Sequence, residues 1–475
     1  MRKQGSLIKL FLGFAVGPLG AAVINFLTLP IITWLINPEE FGKTSLFLLM
    51  QTLAIAVVFL GMDHAYVREY NDIKNKKELL LNSIIFPLSA SIVIGIMLLL
   101  FSGQITSIFL KGQSQVVIML FAIWLPFITL ERFLLLSIRM EEKGLLYSIF
   151  SILVKIMIMI FTLIFLLFWS RSYIAVIFAN VVGQVISNVV LIIYCKNRLE
   201  FNLHYLNKDL LRQMFKFGIP FIVTALLMWM LNSTDRIVLE KVSSYDELGV
   251  YFAALKVIGV LAIFQNIFST FWLPVAYKWK KEKVDNKEFD KISRYIAFIM
   301  SFVFISILLF KEIFIYILSA EYSKVVDIIP FLLFYPIMYT LGETTGLGIS
   351  FSRKTHHNIW ISLVLAAINL VLNIILVPEY GALGAAIALG ITYILYFWIR
   401  TLVSRILWYK FDLTYYFILT IILIVVATGN IMLDDNNIIF NIISMVILLI
   451  FNYNTLKIFY QNIKMKNFNK LTIKQ

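Results

Sequence analysis

The residues of this chain whose types and spacing could do chemistry are charged and amide side chains set inside long apolar runs. Lys155 stands midway along the apolar run 145–169, with no acid three or four residues away. A charge at the centre of a bilayer costs at least about 2.5–3.5 kcal/mol, so it faces a cavity or a partner. Ser148, Ser151 and Thr162 follow the helical spacing that puts them on the same face. A lysine there is either a cavity cation, a point charge for phosphate or acidic sugars, or half of a pair with an acid on another helix. Glu343, beside Thr344, Thr345 and Gly346, is the deep carboxylate suited to ion coupling or to pairing with Lys155. Asp235 and Arg236 are neighbours that point about 100° apart on a helix and need not neutralise each other, and Glu240 offers Arg236 a local partner. Arg132 follows Glu131 near a helix end, where its stem can carry the charge to water. Lys256 is placed to do the same. Amide side chains recur on helical faces: Asn25; Asn180 with Gln184 and Asn188; Asn232; Asn369 with Asn373. Singly, each reads as interhelical glue. Together with the basic residues they describe a wet cavity for a substrate, lined by Lys155, Arg236, Asp235 and these asparagines.

Enzymatic and metal chemistry find little to work with. One cysteine, Cys195, and four histidines leave no disulfide framework and no cysteine-based metal site. His204 and Asp209 form an acyltransferase-like spacing in a polar connector, which chance explains. Asn232-Ser233-Thr234 matches a glycosylation acceptor but falls inside a span. No phosphate-binding or dinucleotide glycine loop is present. The expectation is a chain that is not an enzyme, with no cofactor, no metal and no nucleic-acid partner.

The elements that must hold these residues are membrane helices. The chain is 475 residues long, 61% hydrophobic and only 14% charged, with a mean hydropathy of +0.89; soluble domains carry about 25% charged residues. Continuous apolar runs of about 20 residues, without alternation at period two, exclude a membrane β-barrel. Spans fall near 7–35, 44–62, 82–101, 116–138, 145–169, 173–195, 217–239, 249–274, 294–318, 327–350, 358–377, 382–404, 412–432 and 437–456, an all-α polytopic protein of about fourteen helices. The connectors are short, 196–216 and 275–293 being the longest. The first run continues to Ile36, too long for a signal peptide.

Lysine and arginine placement orients the bundle. With both termini cytoplasmic, the outer gaps hold only Lys43, Lys111, Arg171, Lys241, Lys311 and Lys324, while the stretch 278–294 alone carries seven basic residues on the inner side. The net charge of +14 is then a matter of topology. A weak repeat runs at an offset of about 210 residues: Gly17-Pro18 and Glu39-Glu40-Phe41-Gly42 match Gly218-Ile219-Pro220 and Asp246-Glu247-Leu248-Gly249. Six helices per copy give two parallel lobes, 1–205 and 206–411. Helices 13 and 14, with a basic tail over 412–475, stand outside the repeat and are expected to face lipid.

Three motifs carry a family resemblance. Asn232-Ser233-Thr234-Asp235-Arg236-Ile237-Val238 with Gly249-Val250-Tyr251 resembles the start of the second half of bacterial polysaccharide flippases. Pro30-Ile31-Ile32-Thr33 with Pro38-Glu39-Glu40-Phe41-Gly42 resembles their first helix and outer turn, and Pro378-Glu379-Tyr380-Gly381-Ala382-Leu383-Gly384-Ala385-Ala386 their helix 11–12 corner. These flippases belong to the multidrug/oligosaccharidyl-lipid/polysaccharide exporter superfamily. The resemblance implies a two-lobed bundle that flips an undecaprenyl-pyrophosphate-linked oligosaccharide repeat unit, of capsule, O-antigen or another glycan, to the outer leaflet of the bacterial cytoplasmic membrane. It also implies alternating access, coupling to an ion gradient, and partnership with membrane lipids, a glycan polymerase and glycosyltransferases. The alternatives are an ion-coupled multidrug exporter of the same superfamily and, in a different class, a membrane-embedded glycan polymerase or acyltransferase.

Overall fold

The computed structural model describes residues 4–109, 114–199, 202–352, 354, 356–433, 437–457 and 461, and from residue 16 onward their side chains except those of residues 108, 109, 203, 231, 262, 266, 267 and 270. The outer gap around Lys111, the side chain of Asn266 and the basic tail lie outside the described residues. The described residues are helical throughout, with no strand. Two compact units divide the chain, 1–252 and 253–475.

The first unit holds α1 (Gln4–Leu35), α2 (Pro38–Val58), α3 (Met62–Glu69), α4 (Lys76–Leu100), α5 (Ser102–Phe109), α6 (Val116–Met140), α7 (Gly144–Phe168), α8 (Tyr173–Cys195), α9 (Lys208–Leu231), α10 (Thr234–Val242) and the first turns of α11 (Tyr245–Lys281). Local chemistry sets the helix starts. Asn37 caps α2, its side chain accepting from the Glu40 amide at 2.9 Å, with Pro38 at the first helical position and Glu39 and Glu40 in the first turn. Each feature favours a helix N-terminus. Close packing then fixes the neighbours. At Gly17 the α1 backbone approaches α7 so nearly that its amide donates to Ser148 Oγ at 2.8 Å, and a Cβ there would clash with Ser148. Gly42 and Gly249, matched in the sequence repeat, meet each other: a Cβ on either would sit 3.0 Å from the other's amide nitrogen. The α2 and α11 starts therefore cross backbone to backbone, as small residues allow.

The second unit continues α11 and adds α12 (Asn286–Leu309), α13 (Ile313–Leu318), α14 (Val325–Leu332), α15 (Phe334–Thr345), α16 (Leu347–Phe351), α17 (His356–Leu407), α18 (Thr414–Met432) and α19 (Asn437–Phe451). Gly381 breaks α17 at φ 55°, ψ −130°, a region open essentially to glycine alone, at the corner that Pro378-x-x-Gly381 marks in the sequence. Twelve of the described helices are long and apolar enough to span a membrane. The expected fourteen is not reached on that measure: α17, with 52 residues, counts once across its break, and α19 has only 15 residues.

Two sequence expectations change here. The 275–293 connector is mostly helix, because α11 runs on to Lys281 and Asp285 caps α12 by accepting from the Lys287 amide at 3.0 Å. The last helices, expected outside the repeat and facing lipid, keep an exposed apolar face that includes Phe417, Val425, Ile439 and Ile443, and their other face is tied to α12: Tyr416 donates to Ser293 Oγ at 2.7 Å, and Asn441 donates to the Leu308 carbonyl at 3.1 Å. Lys311, an expected outer-gap charge, is buried and donates to the Asn430 carbonyl at 2.9 Å, in the last turn of α18. A cation is favoured at that end of a helix.

The α11 stop carries a testable strain. Lys283 sits at φ 55°, with its amide donating to the Lys280 carbonyl and that of Val284 to the Trp279 carbonyl, a C-terminal motif that glycine usually completes. Lys283→Gly is expected to stabilise the protein by about 1 kcal/mol, read as a higher melting temperature in detergent. An unchanged or lower value would mean that the lysine side chain offsets the strain.

Candidate functional site

In the first unit a cavity of about 500 Å³ opens among α1, α2, α3, α6, α7, α8 and α9. The side chains that give it chemistry are Asp63 and His64 on α3, Glu131, Arg132 and Arg139 on α6, Ser151 and Lys155 on α7, and Gln184 on α8. The chain leaves α2 through two left-handed residues, Leu60 (φ 53°) and Gly61 (φ 67°), which swing α3 inward. Glycine is required at the second: a Cβ on Gly61 would stand 2.2 Å from the Gly218 carbonyl oxygen of α9.

That turn presents Asp63 to Arg132. The aspartate is buried, and one of its oxygens accepts from both Nη2 at 2.7 Å and Nε at 3.1 Å of Arg132. The guanidinium also lies over the Phe59 ring, 5.8 Å from its centroid. Arg132, expected to reach water from a helix end, is thus held by an acid from α3. Glu131, one position earlier and about 100° around α6, accepts from the Gln184 amide. It is also the electrostatic counterpart of Lys155. His64 stacks on Phe221 of α9, centroids 4.4 Å apart and planes at 14°, and adds an aromatic wall.

Asp63 has its counter-charge in Arg132 and Glu131 its electrostatic counterpart in Lys155, so the three basic side chains of the cavity, with Arg139, outnumber its two acids by one. Lys155 is half-buried and its amine makes no hydrogen bond or ion pair among the described residues; neither does the Arg139 side chain, which is exposed. The excess of positive charge, with a half-buried amine that has no bonded partner, makes the cavity able to accept an anion.

Of the expected binding residues, Lys155 lines this cavity and the others lie elsewhere. Asn25 is exposed on α1. Asn180 accepts from Gln51 at 3.0 Å, joining α8 to α2. Asn188, the third member of the α8 stripe, donates to the Phe127 carbonyl at 3.1 Å. Asn232 closes α9, its amide turned back to Met228 O at 2.7 Å, and Arg236 donates to the Asn232 carbonyl at 3.0 Å. Asp235 is buried and accepts from the Tyr251 hydroxyl. Asn369 donates to Thr392 Oγ1 at 3.2 Å, joining the two arms of α17, and Asn373 donates back to the Asn369 carbonyl at 2.8 Å within the first arm. Glu343 pairs with Arg400 at 2.6 Å inside the second unit. Its partner is therefore Arg400 rather than Lys155, and Arg400 is buried.

The residues that sequence reasoning passed over are Asp63, Glu131 and Arg400. Asp63 and Arg132 are 69 positions apart, and no periodicity links them. The signal that was available is Glu131-Arg132, two opposite charges inside one span.

Residues 11–279, more than half of the chain, match the family described as polysaccharide biosynthesis protein. A relative in Staphylococcus aureus, capsular polysaccharide biosynthesis protein CapF, is 29% identical over 207 residues, 42% of this chain and 52% of its own length. The chain thus spans about half the length of that relative. Among solved structures, the lipid II flippase MurJ in an inward closed conformation superposes with a TM-score of 0.71 at 14% identity, over 95% of this chain and 99% of that one. An inward-facing multidrug resistance MATE family transporter of the MOP superfamily gives 0.57 at 15% identity, over 81% and 94%. These fold neighbours are transporters and flippases rather than enzymes.

Proposed function

The chain belongs to the polysaccharide biosynthesis protein family, and on that premise we propose that this multi-pass membrane protein flips an undecaprenyl-pyrophosphate-linked oligosaccharide repeat unit. The movement runs from the inner to the outer leaflet of the bacterial cytoplasmic membrane, by alternating access coupled to an ion gradient. The observation that supports an anionic cargo is Lys155, a cation without a bonded partner in a cavity whose basic side chains outnumber its acids. A pyrophosphate bears charge that cannot cross hydrocarbon alone, and a fixed cation in a low-dielectric cavity offsets that cost.

A second reading, export of cationic drugs, has the MATE likeness behind it and two cavity carboxylates, Asp63 and Glu131. Those carboxylates are committed to Arg132 and to Gln184, which favours the anionic cargo. Transport assays separate the two: reconstituted vesicles should move a fluorescent polyprenyl-pyrophosphate sugar and leave a lipophilic cation where it was. Movement of the cation alone would reverse the choice.

The orientation has its own test. Both termini are placed in the cytoplasm, which puts Lys287, exposed at the start of α12, inside, and Arg171, exposed between α7 and α8, outside. The native cysteine, Cys195, is buried and gives little background. In intact cells a membrane-impermeant maleimide should label Arg171→Cys and spare Lys287→Cys; the opposite pattern would invert the topology.

A further inference from the structure

We infer that Glu131 is a counter-charge which the anionic substrate displaces, so that head-group binding at Lys155 draws one proton onto the Glu131 carboxylate. The inference rests on the cavity reading above and adds to it the ion and the residue that carries it.

Glu131 and Lys155 face the same cavity from α6 and α7 and interact electrostatically without a direct ion pair. The Gln184 amide holds the carboxylate in place from α8, and Asn188, on the same helix, faces it as well while donating to the Phe127 carbonyl. The other charged or titratable groups on the cavity walls are Asp63 and His64 on α3, Arg132 and Arg139 on α6, and the Tyr147 phenol on α7. Asp63 and Arg132 satisfy each other, His64 is stacked on Phe221, and Arg139 is exposed. Lys155 is therefore the cation left to balance Glu131. A phosphate that settles on the Lys155 amine takes that balance away and adds negative charge beside a carboxylate in a poorly solvated space. Both changes favour the protonated acid. The carboxylate then gains a proton from water and becomes neutral, and nothing else is transferred. Release of the anion returns Lys155 to Glu131 and frees the proton.

Linked equilibria make this measurable. The full chain in nanodiscs is titrated with farnesyl pyrophosphate between pH 7.5 and 9, in buffers of differing ionisation enthalpy. Wild type should take up close to one proton per bound probe and lose up to tenfold in affinity per pH unit. Glu131→Gln should bind with no proton uptake beyond that of the probe itself and with a flattened pH dependence, Glu131→Asp should restore the uptake, and His64→Gln should leave it unchanged. Melting temperatures confirm that each variant is folded. Uptake that persists in Glu131→Gln overturns the inference, as does uptake lost in His64→Gln. Lys155→Ala reports on the premise alone: if it binds the probe as wild type does, the cavity reading falls; if it loses binding while wild type takes up no proton, only the coupling falls.

Discussion

Lys155→Ala is expected to abolish glycan export in cells that depend on this protein for it, while the chain is still made and inserted. Two unit charges 4 Å apart at an effective dielectric constant of about 20 interact by roughly 4 kcal/mol. A thousandfold loss of affinity corresponds to about that energy, so removal of the cation leaves the cavity without grip on a phosphate. Lys155→Arg should retain part of the activity, since the amine acts as a point charge and the guanidinium keeps charge while changing shape. The variant also strips Glu131 of its counterpart, and that effect has to be separated from lost binding. The double variant Lys155→Ala with Glu131→Gln does so. If the double variant exports normally, Lys155 serves only to balance Glu131. If it exports no better than the single variant, the amine contacts cargo. Normal export by Lys155→Ala alone would remove the lysine from the site altogether.

Lys155 could be found from sequence because depth is a property of one helix: a lysine in the middle of an apolar run has to face something polar. Its surroundings could not, because they depend on which helices lie side by side. In the sequence Glu131 is only the neighbour of Arg132 near a helix end, whereas the fold directs Arg132 to Asp63 on α3 and Glu131 to α7 and α8. The α3 helix itself is eight residues long and polar, too short and too hydrophilic to register as an apolar run. The same holds for the end of α11, where Lys278, Lys280 and Lys281 extend a helix with no apolar signal. The Gly381 corner was legible, since proline and glycine at fixed spacing constrain the backbone whatever surrounds them. So was the match between Glu39–Gly42 and Asp246–Gly249, although not that the two glycines touch. The asparagine stripes show the limit of periodicity. Spacing put Asn180, Gln184 and Asn188 on one face of α8, and that face meets three different partners: Gln51, Glu131 and the Phe127 carbonyl.

The buried ion pair of the second unit should be the most damaging place to remove a single charge. Glu343 and Arg400 meet at 2.6 Å, with side chains 13% and 11% exposed, and Arg400 also donates to the Tyr396 hydroxyl. Gly342 and Gly346 make the room: a Cβ on Gly342 would press on the Tyr396 ring at 3.3 Å, and one on Gly346 would meet Arg400 Nε at 2.6 Å. Such a pair adds little net stability over apolar residues of the same size, because both ions have been taken out of water. Breaking it is another matter, since the survivor is left charged and unpartnered at a cost of about 3–5 kcal/mol. Arg400→Met is therefore expected to lower the melting temperature sharply and to reduce the amount of protein recovered from membranes. Adding Glu343→Gln should return most of that loss, because the second change removes the stranded charge. The same pair of measurements tests whether Glu343 has a transport role. If the double variant regains its stability and exports glycan, the pair is structural and ion coupling belongs elsewhere in the chain. If it regains stability and remains inactive, Glu343 or Arg400 takes part in transport. If Arg400→Met melts as wild type does, the carboxylate has found water or another partner, and the pair is not the buried ion pair that its geometry describes.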